Sequence, residues 1–318
     1  MSYLVTGGTG LIGSRIVRDL VREDQQVVAY DWQPAINFLE RVLSDREIES
    51  MVRIVQGDIT DLPHLIRTIM EHRVERIIHT AALLTLEADA NPLVALKVNC
   101  EGTLCVFEAA RILGLKKVVW SSSNSVFGPH EKYPQKFIPN DAMHDPQNIY
   151  AATKSFGEAG ANHYFEQYGV DITGIRYQTV YGVGQRRGIF GAVVRELILN
   201  PALGKPGRVP YDNALIGWSY VDDPVRATVL ASKVHRTKTR NFSIMGDPRT
   251  LEEVADYVRK IIPGAQITLL PGTFTGDPVE LDTRPAQKEI GYHPQWSMER
   301  GIKETIKNIR QEHGLPAI

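Results

Sequence analysis

The sequence predicts an α/β fold in which a doubly wound parallel sheet is followed by a smaller, partly discontinuous C-terminal region. The first observation is that short segments rich in Val and Ile alternate with amphipathic segments over residues 1–176. Buried parallel strands have that composition, and no hairpin signal interrupts the alternation. The second observation is that the pattern changes after Arg176, where residues 181–218 are rich in Gly and Pro. Strands alternating with helices indicate a sheet covered on both faces by right-handed crossovers.

Expected strands and helices alternate along the first part of the chain. The expected strands are Tyr3–Thr6, Gln26–Asp31, Val52–Gly57, Arg76–Thr80, Lys117–Ser121 and Asp171–Arg176. The expected helices are Leu11–Arg22, Ala35–Ser50, Leu62–His72, Pro92–Leu113 and Ile149–Tyr168.

The C-terminal part contains fewer elements. Helical patterns cover Phe190–Leu199 and Val221–Lys233, and Asn241–Met245 has the composition of one more strand. Thr250-Leu-Glu-Glu253 is a capping box that predicts a helix through Lys260. Ser297–Gln311 is amphipathic and predicts a last helix.

Composition and charge exclude several classes of protein. The chain has 318 residues, is 43% hydrophobic and carries a net charge of −1, which are ordinary globular values. With 36 basic and 37 acidic residues it lacks the charge excess of a nucleic-acid-coating protein. No apolar run reaches the ~18 residues of a membrane helix, and the N-terminus is not a signal peptide. Cys100 and Cys105 are too few for a disulfide scaffold and wrongly spaced for zinc. We therefore expect a cytoplasmic protein without a metal, a nucleic-acid partner or a membrane.

A glycine motif, Gly7-Gly-Thr-Gly10-Leu-Ile-Gly13, follows the first strand and begins the first helix. Glycines there let the backbone turn tightly beside a pyrophosphate, which the helix N-terminus attracts. This context favours a dinucleotide site on a Rossmann-like sheet over a plain strand-to-helix turn.

Two acidic residues end the next two strands. Asp31 could hydrogen-bond the adenosine ribose and repel a 2′-phosphate, and Trp32 and Gln33 supply no cation for one, which favours NAD over NADP. The alternative is that Asp31 caps the following helix. Asp58 could reach the adenine, although a simple turn residue before Leu62 explains it equally well.

Tyr150 and Lys154 stand four residues apart in a predicted helix and so share one face. An ammonium beside a phenol favours the phenolate and lowers the tyrosine pKa from its usual ~10, which suits a general acid or base. The pair follows the serine-rich segment Ser121–Gly128, at the carboxyl end of the fifth strand, where open α/β sheets place ligands. A serine there could hold a substrate oxygen, although any single serine could equally belong to a polar loop.

The ordered set of motifs resembles the extended short-chain dehydrogenase/reductases of the NAD-dependent epimerase/dehydratase family, nearly end to end. The residues that carry the resemblance are Thr6–Gly13, Asp31, Gly57-Asp58-Ile59, His79–Ala82, Asn99–Thr103, Ser121–Gly128, Tyr150 with Lys154, Arg176–Gly182 and Tyr220–Asp223.

The resemblance implies roles at matching positions. Tyr150 would exchange the hydroxyl proton while hydride moves between the substrate carbon and the nicotinamide. Lys154 would hold the nicotinamide ribose, and Ser123 would orient the reacting oxygen. The residues implied to contact NAD are Gly7, Gly10, Leu11, Ile12, Gly13, Asp31, Asp58, Ile59, Ala81, Ala82, Asn99, Tyr150, Lys154, Tyr177 and Gln178. The residues expected to contact the substrate are Leu83, Ser123, Asn124, Ser125, Thr179, Arg186, Arg187 and Trp218.

The chain departs from the family pattern where many members clamp a nucleotide-sugar diphosphate with arginine. Ile216 stands at one usual arginine position, and no arginine precedes Gly276-Asp277. A buried diphosphate without cations is costly, so the nucleotide-sugar interpretation is weakened, although Arg186, Arg187 or Arg208 could substitute.

The leading hypothesis is an NAD-dependent dehydrogenase acting on the secondary alcohol of a small polar substrate such as a sugar, sugar acid or hydroxy amino acid. Arg186 or Arg187 would suit a substrate carboxylate. The alternatives are a nucleotide-sugar 4-epimerase and a non-catalytic dinucleotide-sensing protein. The expected division is a cofactor domain at 1–177, to which 213–244 return, and a substrate region at 178–212 and 245–318. A homodimer is expected from the resemblance, through Pro92–Leu113 and Ile149–Tyr168.

Overall fold

The computed structural model describes residues 2–185, 188–274 and 279–318. The strands are β1 (Ser2–Thr6), β2 (Gln26–Asp31), β3 (Val52–Gln56), β4 (Arg76–His79), β5 (Lys117–Ser123), β6 (Ile172–Tyr177), β7 (Val180–Tyr181), β8 (Gly207–Val209), β9 (Leu215–Tyr220), β10 (Asn241–Ser243), β11 (Asp247–Thr250) and β12 (Ile267–Leu269). The helices are α1 (Leu11–Val21), α2 (Asn37–Glu40), α3 (Asp45–Met51), α4 (Leu62–Glu71), α5 (Thr85–Ala90), α6 (Pro92–Ala95), α7 (Gly102–Leu113), α8 (Ile149–Tyr168), α9 (Gly188–Val194), α10 (Asn200–Ala202), α11 (Asp222–Lys233), α12 (Leu251–Ile261), α13 (Arg284–Ile290) and α14 (Met298–Glu312). Leu96–Glu101 and Arg195–Leu199 are π-helical, and Asn124–Phe127 and His130–Lys132 are 3₁₀ turns.

The main sheet confirms the predicted α/β class. Within the described residues it has seven parallel strands in the order β10-β6-β5-β4-β1-β2-β3. Alternate residues of β1 enter opposite cores, because successive strand side chains point to opposite faces: Tyr3 and Val5 pack with α1, whereas Leu4 packs with α7. The chain runs from β1 outward through β2 to β3 and then crosses back to place β4 on the other side of β1, so a crevice opens at the carboxyl ends of β1 and β4.

Two of the predicted helices are interrupted. The prediction of one helix over Ala35–Ser50 is wrong. Ser44 forms a capping box with Glu47, which begins α3 separately from α2. Pro92–Leu113 is helical throughout, although Leu96–Glu101 adopts the wider π geometry. The predicted capping box at Thr250 is confirmed at the start of α12.

A second sheet lies beside the main one. It has the order β11-β9-β7, in which β9 and β11 are antiparallel. β10 and α11 do return to the main sheet, since β10 pairs with β6 and α11 packs against β5 and β6. β9, however, which falls inside the stretch 213–244, belongs to the second sheet, so the exact domain division stays a prediction.

No helix in the described ranges has the length and apolar character needed to span a bilayer. Across the same ranges, no group of three or more His, Cys, Asp or Glu side chains is arranged to hold a metal ion.

Candidate active site

One large cleft runs along the carboxyl ends of the main strands. Its volume is about 1900 Å³, more than the 300–1,000 Å³ of a typical small-molecule site. The loops that follow β1, β2, β4, β5 and β6 all contribute to its walls. The cleft is therefore large enough for a dinucleotide and a second molecule.

The glycine loop forms one floor of the cleft and fits a pyrophosphate. Gly7 has a φ of 65°, which favours glycine, and a Cβ on Gly13 would lie only 2.0 Å from the carbonyl oxygen of Gly7. Gly10 occupies the N-cap of α1, where a side chain would otherwise cover the helix end. The N–H groups of α1 therefore face the cleft, as a phosphate requires. Leu11 and Ile12 line the same floor.

Asp31 is held against the glycine loop. Its Oδ2 atom accepts hydrogen bonds from the backbone N–H of Thr9 at 3.2 Å and from the Thr9 hydroxyl at 2.8 Å. The hydroxyl of Thr9 also accepts from the N–H of Ala35. These bonds orient the carboxylate along the cleft wall, and its Oδ1 atom accepts a hydrogen bond from the backbone N–H of Gln33 at 3.4 Å. Trp32, beside it, is 66% exposed and also lines the cleft.

Asp58 and Ile59 line the same end of the cleft. Oδ1 of Asp58 accepts from the N–H and the hydroxyl of Thr60, which is the turn role that the sequence left open. A turn at this position does not exclude contact with the adenine, so both roles remain compatible with the geometry.

A buried side chain, that of Asn99, holds the loop after β4 in place. Ala81, Ala82 and Leu83 line the cleft, but Asn99 does not. The Asn99 carboxamide is buried and exchanges hydrogen bonds with the backbone of Leu83, at 2.8 and 3.0 Å. Asn99 therefore supports the loop, and its expected contact with the cofactor stays a prediction.

Ser123, Tyr150 and Lys154 line the cleft together. Asn148 caps α8, the helix that carries Tyr150 and Lys154. Nζ of Lys154 donates to the carbonyl oxygen of Ser121 at 2.6 Å and lies 5.5 Å from the centre of the Tyr150 ring. Burial lowers the pKa of Lys154 to about 8, so the ammonium persists at neutral pH.

The serine loop provides hydroxyl groups beside this pair. The Ser123 hydroxyl accepts from the N–H of Ser125 at 3.2 Å and from its hydroxyl at 2.8 Å. Both side chains line the cleft. Asn124 does not: it is fully buried, and its amide donates to the carbonyl oxygen of Ile244. The 3₁₀ turn that starts at Asn124 buries Asn124, Val126 and Phe127, so these side chains point away from the cleft.

Tyr177, Gln178 and Thr179 close the cleft after β6. The Tyr177 hydroxyl bonds that of Thr228, and burial raises the Tyr177 pKa above its usual value. The Gln178 carboxamide accepts from the N–H of Gly246 at 2.7 Å and donates to the carbonyl oxygen of Val279 at 3.2 Å. Gln178 thus links the cofactor side of the cleft to the C-terminal loop.

The structure does not bring all expected substrate residues into the cleft. Trp218 is fully buried, its ring packs against Tyr181 and Phe190, and its indole N–H donates to the carbonyl oxygen of Arg249. Trp218 is thus a core residue of the second sheet. Arg208 lies on β8, away from the cleft lining. Arg186 and Arg187 lie outside the described residues.

A buried ion pair that the sequence analysis missed supports the catalytic helix. Glu158, one turn beyond Lys154, pairs with Arg176 at 2.6 Å and accepts from the Ser122 hydroxyl. Burial alone would raise the pKa of Glu158, but Arg176 and His144 lower it to about 2. The i, i+4, i+8 spacing of Tyr150, Lys154 and Glu158 places all three on one face of the helix, and this spacing in the sequence could have identified Glu158.

His79, at the end of β4, also stays in the interior. Its ring nitrogens bond the hydroxyls of Thr6 and Thr103. Burial lowers the pKa of His79 to about 3, so this histidine is neutral and ties β1, β4 and α7 together.

Other cleft residues were not singled out from the sequence, because they come from loops far apart in the chain. They are His130, Glu131, Gln147, Gln185, Thr273, Phe274, Val279 and Glu280. The segments that carry Ile138 and Leu281 meet through a β-bridge, in which the N–H of Ile138 donates to the carbonyl oxygen of Glu280 at 3.1 Å, so Glu280 lies against the segment that follows β5.

Comparison with known proteins agrees with the fold and motifs. The model of the NAD dependent epimerase/dehydratase family matches residues 3–244. The chain is 27% identical to a UDP-glucuronate 4-epimerase of Thermodesulfobacterium geofontis, over 96% of this chain and 94% of that protein. A partial consensus L-threonine 3-dehydrogenase superposes with a TM-score of 0.86 at 23% identity, over 98% of this chain and 100% of that one. A UDP-glucose 4-epimerase of Thermotoga maritima, solved with UDP-glucose, superposes with a TM-score of 0.81 at 25% identity, over 98% of this chain and 100% of that one.

Proposed function

The chain belongs to the NAD-dependent epimerase/dehydratase family, and from that premise we propose that it oxidises the secondary alcohol of a small polar substrate. The family makes it an NAD-dependent enzyme of the extended short-chain dehydrogenase/reductase type. The observation that carries the substrate proposal is the composition of the cleft around Ser123, Tyr150 and Lys154. Among the described residues, the lysines and arginines that line the cleft are Arg41, Lys97 and Lys154, and neither of the usual diphosphate-clamping positions carries an arginine.

The proposed chemistry assigns one task to each side chain. Ser123 holds the hydroxyl oxygen of the substrate, since its own hydroxyl lines the cleft and is oriented by Ser125. Tyr150 takes the proton of that hydroxyl as general base. Lys154 keeps a positive charge near the phenol ring and favours the phenolate. NAD, when bound, supplies the hydride acceptor, and Gly10, Gly13 and the neighbouring N–H groups would hold its pyrophosphate.

The acidic residues Glu131 and Glu280 line the cleft together with His130, and Oε1 of Glu280 lies 3.8 Å from Nζ of Lys136. They favour a substrate that presents hydroxyl or ammonium groups there. Arg186 or Arg187 would recognise a carboxylate, in keeping with a sugar acid or hydroxy amino acid.

The second candidate is a nucleotide-sugar 4-epimerase, which uses the same hydride chemistry and returns the hydride to the opposite face. Similarity to a UDP-glucuronate 4-epimerase along nearly the whole chain favours it. The 1900 Å³ cleft would also accommodate a nucleotide sugar beside the cofactor.

A substrate panel separates the two candidates. Hydroxy amino acids, sugar acids, polyols, sugars and nucleotide sugars are each incubated with NAD, and NADH absorbance is followed alongside product chromatography. Net NADH from a free small substrate supports the dehydrogenase. Interconversion of a nucleotide sugar without net NADH contradicts it and establishes the epimerase.

We also propose a homodimer formed through α7 and α8. An apolar groove lies on this face, lined among others by Leu62, Leu93, Leu96, Leu104 and Phe156. Leu93 is 82% exposed there, which is costly for an isolated chain. Leu93→Glu should convert a dimer into a monomer in sedimentation analysis, whereas Met143→Glu, at an exposed loop position, should not. A wild-type monomer would contradict this proposal.

A cytoplasmic location is proposed as well. Both cysteines, Cys100 and Cys105, are free thiols, as is usual in reducing compartments. Fractionation of cells that express the chain tests this, and recovery in an oxidising compartment would contradict it.

A further inference from the structure

Arg41 brings a guanidinium to the part of the cleft that faces the glycine loop. It directly follows α2, which packs against α1, and its side chain lines the cleft. Nη1 of Arg41 lies 3.3 Å from the point that a Cβ on Gly184 would occupy, and Cδ1 of Leu11 lies 3.5 Å from the same point. Leu11 is the first residue of α1. The guanidinium therefore lies beside the helix N-terminus that a pyrophosphate would face.

A pyrophosphate carries more negative charge than the glycine loop alone neutralises. It carries two negative charges, whereas a helix N-terminus is equivalent to about half a positive charge. The lysines and arginines that line the described part of the cleft are Arg41, Lys97 and Lys154. Lys154 donates to Ser121 at the catalytic end, and Lys97 lies on the π-helical stretch that packs against α8. Arg41 is thus the one of the three placed beside α1.

The guanidinium of Arg41 already has an anionic partner. Its Nε atom lies 3.2 Å from Oε1 of Glu312, the last residue of α14. Its guanidinium also lies over the ring of Phe38, at 5.5 Å from the ring centre. About a quarter of the Arg41 side chain remains exposed (26%), so it stays accessible from the cleft.

The surroundings of Arg41 are rich in positive charge. Arg15 is buried nearby and donates to the carbonyl oxygens of Leu11 and Val183. Burial lowers the pKa of Arg15, and the charge of Arg41 is close enough to lower it further, against the opposing effect of Asp222. An anion bound at Arg41 therefore also lies in the field of the Arg15 charge.

We propose that Arg41 binds the pyrophosphate of NAD and that Glu312 competes with the cofactor for the same guanidinium. Binding exchanges the ion pair with Glu312 for a charge-assisted contact to phosphate and releases the end of α14 from α2. The inference rests on the NAD-binding part of the proposed function and is independent of the substrate.

Calorimetric titration of the full-length chain with NAD, ADP and adenosine tests the role of Arg41. Arg41→Gln should raise the Kd of NAD and of ADP about tenfold, equivalent to about 1.4 kcal/mol, close to the lower end of the values for a hydrogen bond to a charged group. The Kd of adenosine should not change, because adenosine has no phosphate. Arg41→Lys should restore part of the loss. Arg46→Gln, at an exposed position on α3 outside the cleft, is the matched control.

Glu312→Gln distinguishes competition from a purely structural ion pair. If Glu312 competes, the variant should bind NAD and ADP about two- to threefold more tightly, within the range of an exposed ion pair. Weaker binding in this variant would overturn the competition. Unchanged NAD binding in Arg41→Gln, or equal weakening for ADP and adenosine, would overturn the pyrophosphate contact. Since no turnover is measured, failure to oxidise any substrate would leave these results interpretable.

Discussion

Replacing Lys154 with Gln should move the acidic limb of the pH profile of kcat/KM to higher pH by about two units. The phenol of Tyr150 must lose its proton before it can accept one from the substrate. The Lys154 ammonium favours that loss, and burial lowers its pKa to about 8, so most of the side chains are charged at pH 7. Glutamine keeps an N–H donor for the carbonyl oxygen of Ser121 while removing the charge.

The size of the shift follows from the distance between the two side chains. Nζ of Lys154 lies 5.5 Å from the centre of the Tyr150 ring. At an effective dielectric constant of about 20, two unit charges at that separation interact by about 3 kcal/mol. One pH unit corresponds to about 1.4 kcal/mol, so losing the ammonium moves the limb upward by about two units.

The assay is the initial rate of NADH formation across the pH range for Lys154→Gln, the wild type and the control Lys303→Gln, which removes an exposed lysine from α14. The absolute rate also falls in Lys154→Gln if the side chain holds the nicotinamide ribose, so the position of the limb is the decisive readout. A limb that stays in place, or that moves to lower pH, would refute the electrostatic role of Lys154.

Three further predictions concern the cofactor site and the support beneath it. Asp31→Ala should raise the Kd of NAD about tenfold and narrow the preference for NAD over NADP in kcat/KM; a wild-type preference for NADP would contradict the ribose assignment. Gly13→Ala should weaken NAD binding about tenfold or more in calorimetry, because its methyl would stand 2.0 Å from the Gly7 carbonyl oxygen; an unchanged Kd would disprove the fit. Glu158→Gln should lower the free energy of unfolding by about 3–5 kcal/mol in urea titrations, because Arg176 loses its buried partner. The pKa of Glu158 is lowered to about 2, so the charged carboxylate stabilises the folded state fully above its ordinary pKa near 4.5, and this stabilisation is lost as the pH falls toward 2. Glu158→Gln has no carboxylate to protonate, so its free energy of unfolding should fall less steeply with acid than that of the wild type. An equal fall in both proteins would contradict the pairing.

The main sheet and the glycine loop could be predicted because their signals are local. Runs of Val and Ile, a glycine motif between a strand and a helix, and an acid at the end of the next strand all lie within about thirty residues. Tyr150 and Lys154 share a helical face for the same reason. These features depend on backbone geometry that neighbouring residues determine.

The predicted site residues that do not line the cleft are held by contacts distant in sequence. The family motif places Trp218 at a position expected to contact the substrate. The antiparallel pairing of β9 with β11 instead buries its side chain. Asn99 carries the expected motif but turns its amide to the backbone of Leu83, sixteen residues away. Asn124 bonds Ile244, which lies 120 residues further along the chain. A single sequence contains the motif but not the direction in which the side chain points.

The short strands of the second sheet were missed for a related reason. β7 has two residues, and β11, Asp247–Thr250, contains a proline and two charged residues, a composition typical of a loop. Pairing with β9 makes these segments strands, and that pairing is visible only in three dimensions. The end of the cleft formed by Val279 and Glu280 likewise depends on the bridge between Ile138 and Leu281.

The most direct test of the central claim, NAD-dependent hydride transfer with Tyr150 as the proton acceptor, is the turnover of Tyr150→Phe measured together with its Kd for NAD. Phenylalanine keeps the ring and removes only the hydroxyl. Turnover should fall by about 10² to 10⁴, the usual contribution of a general base, while NAD binding stays within about twofold of the wild type. Turnover close to the wild-type value would contradict the assignment of Tyr150 and with it the proposed mechanism.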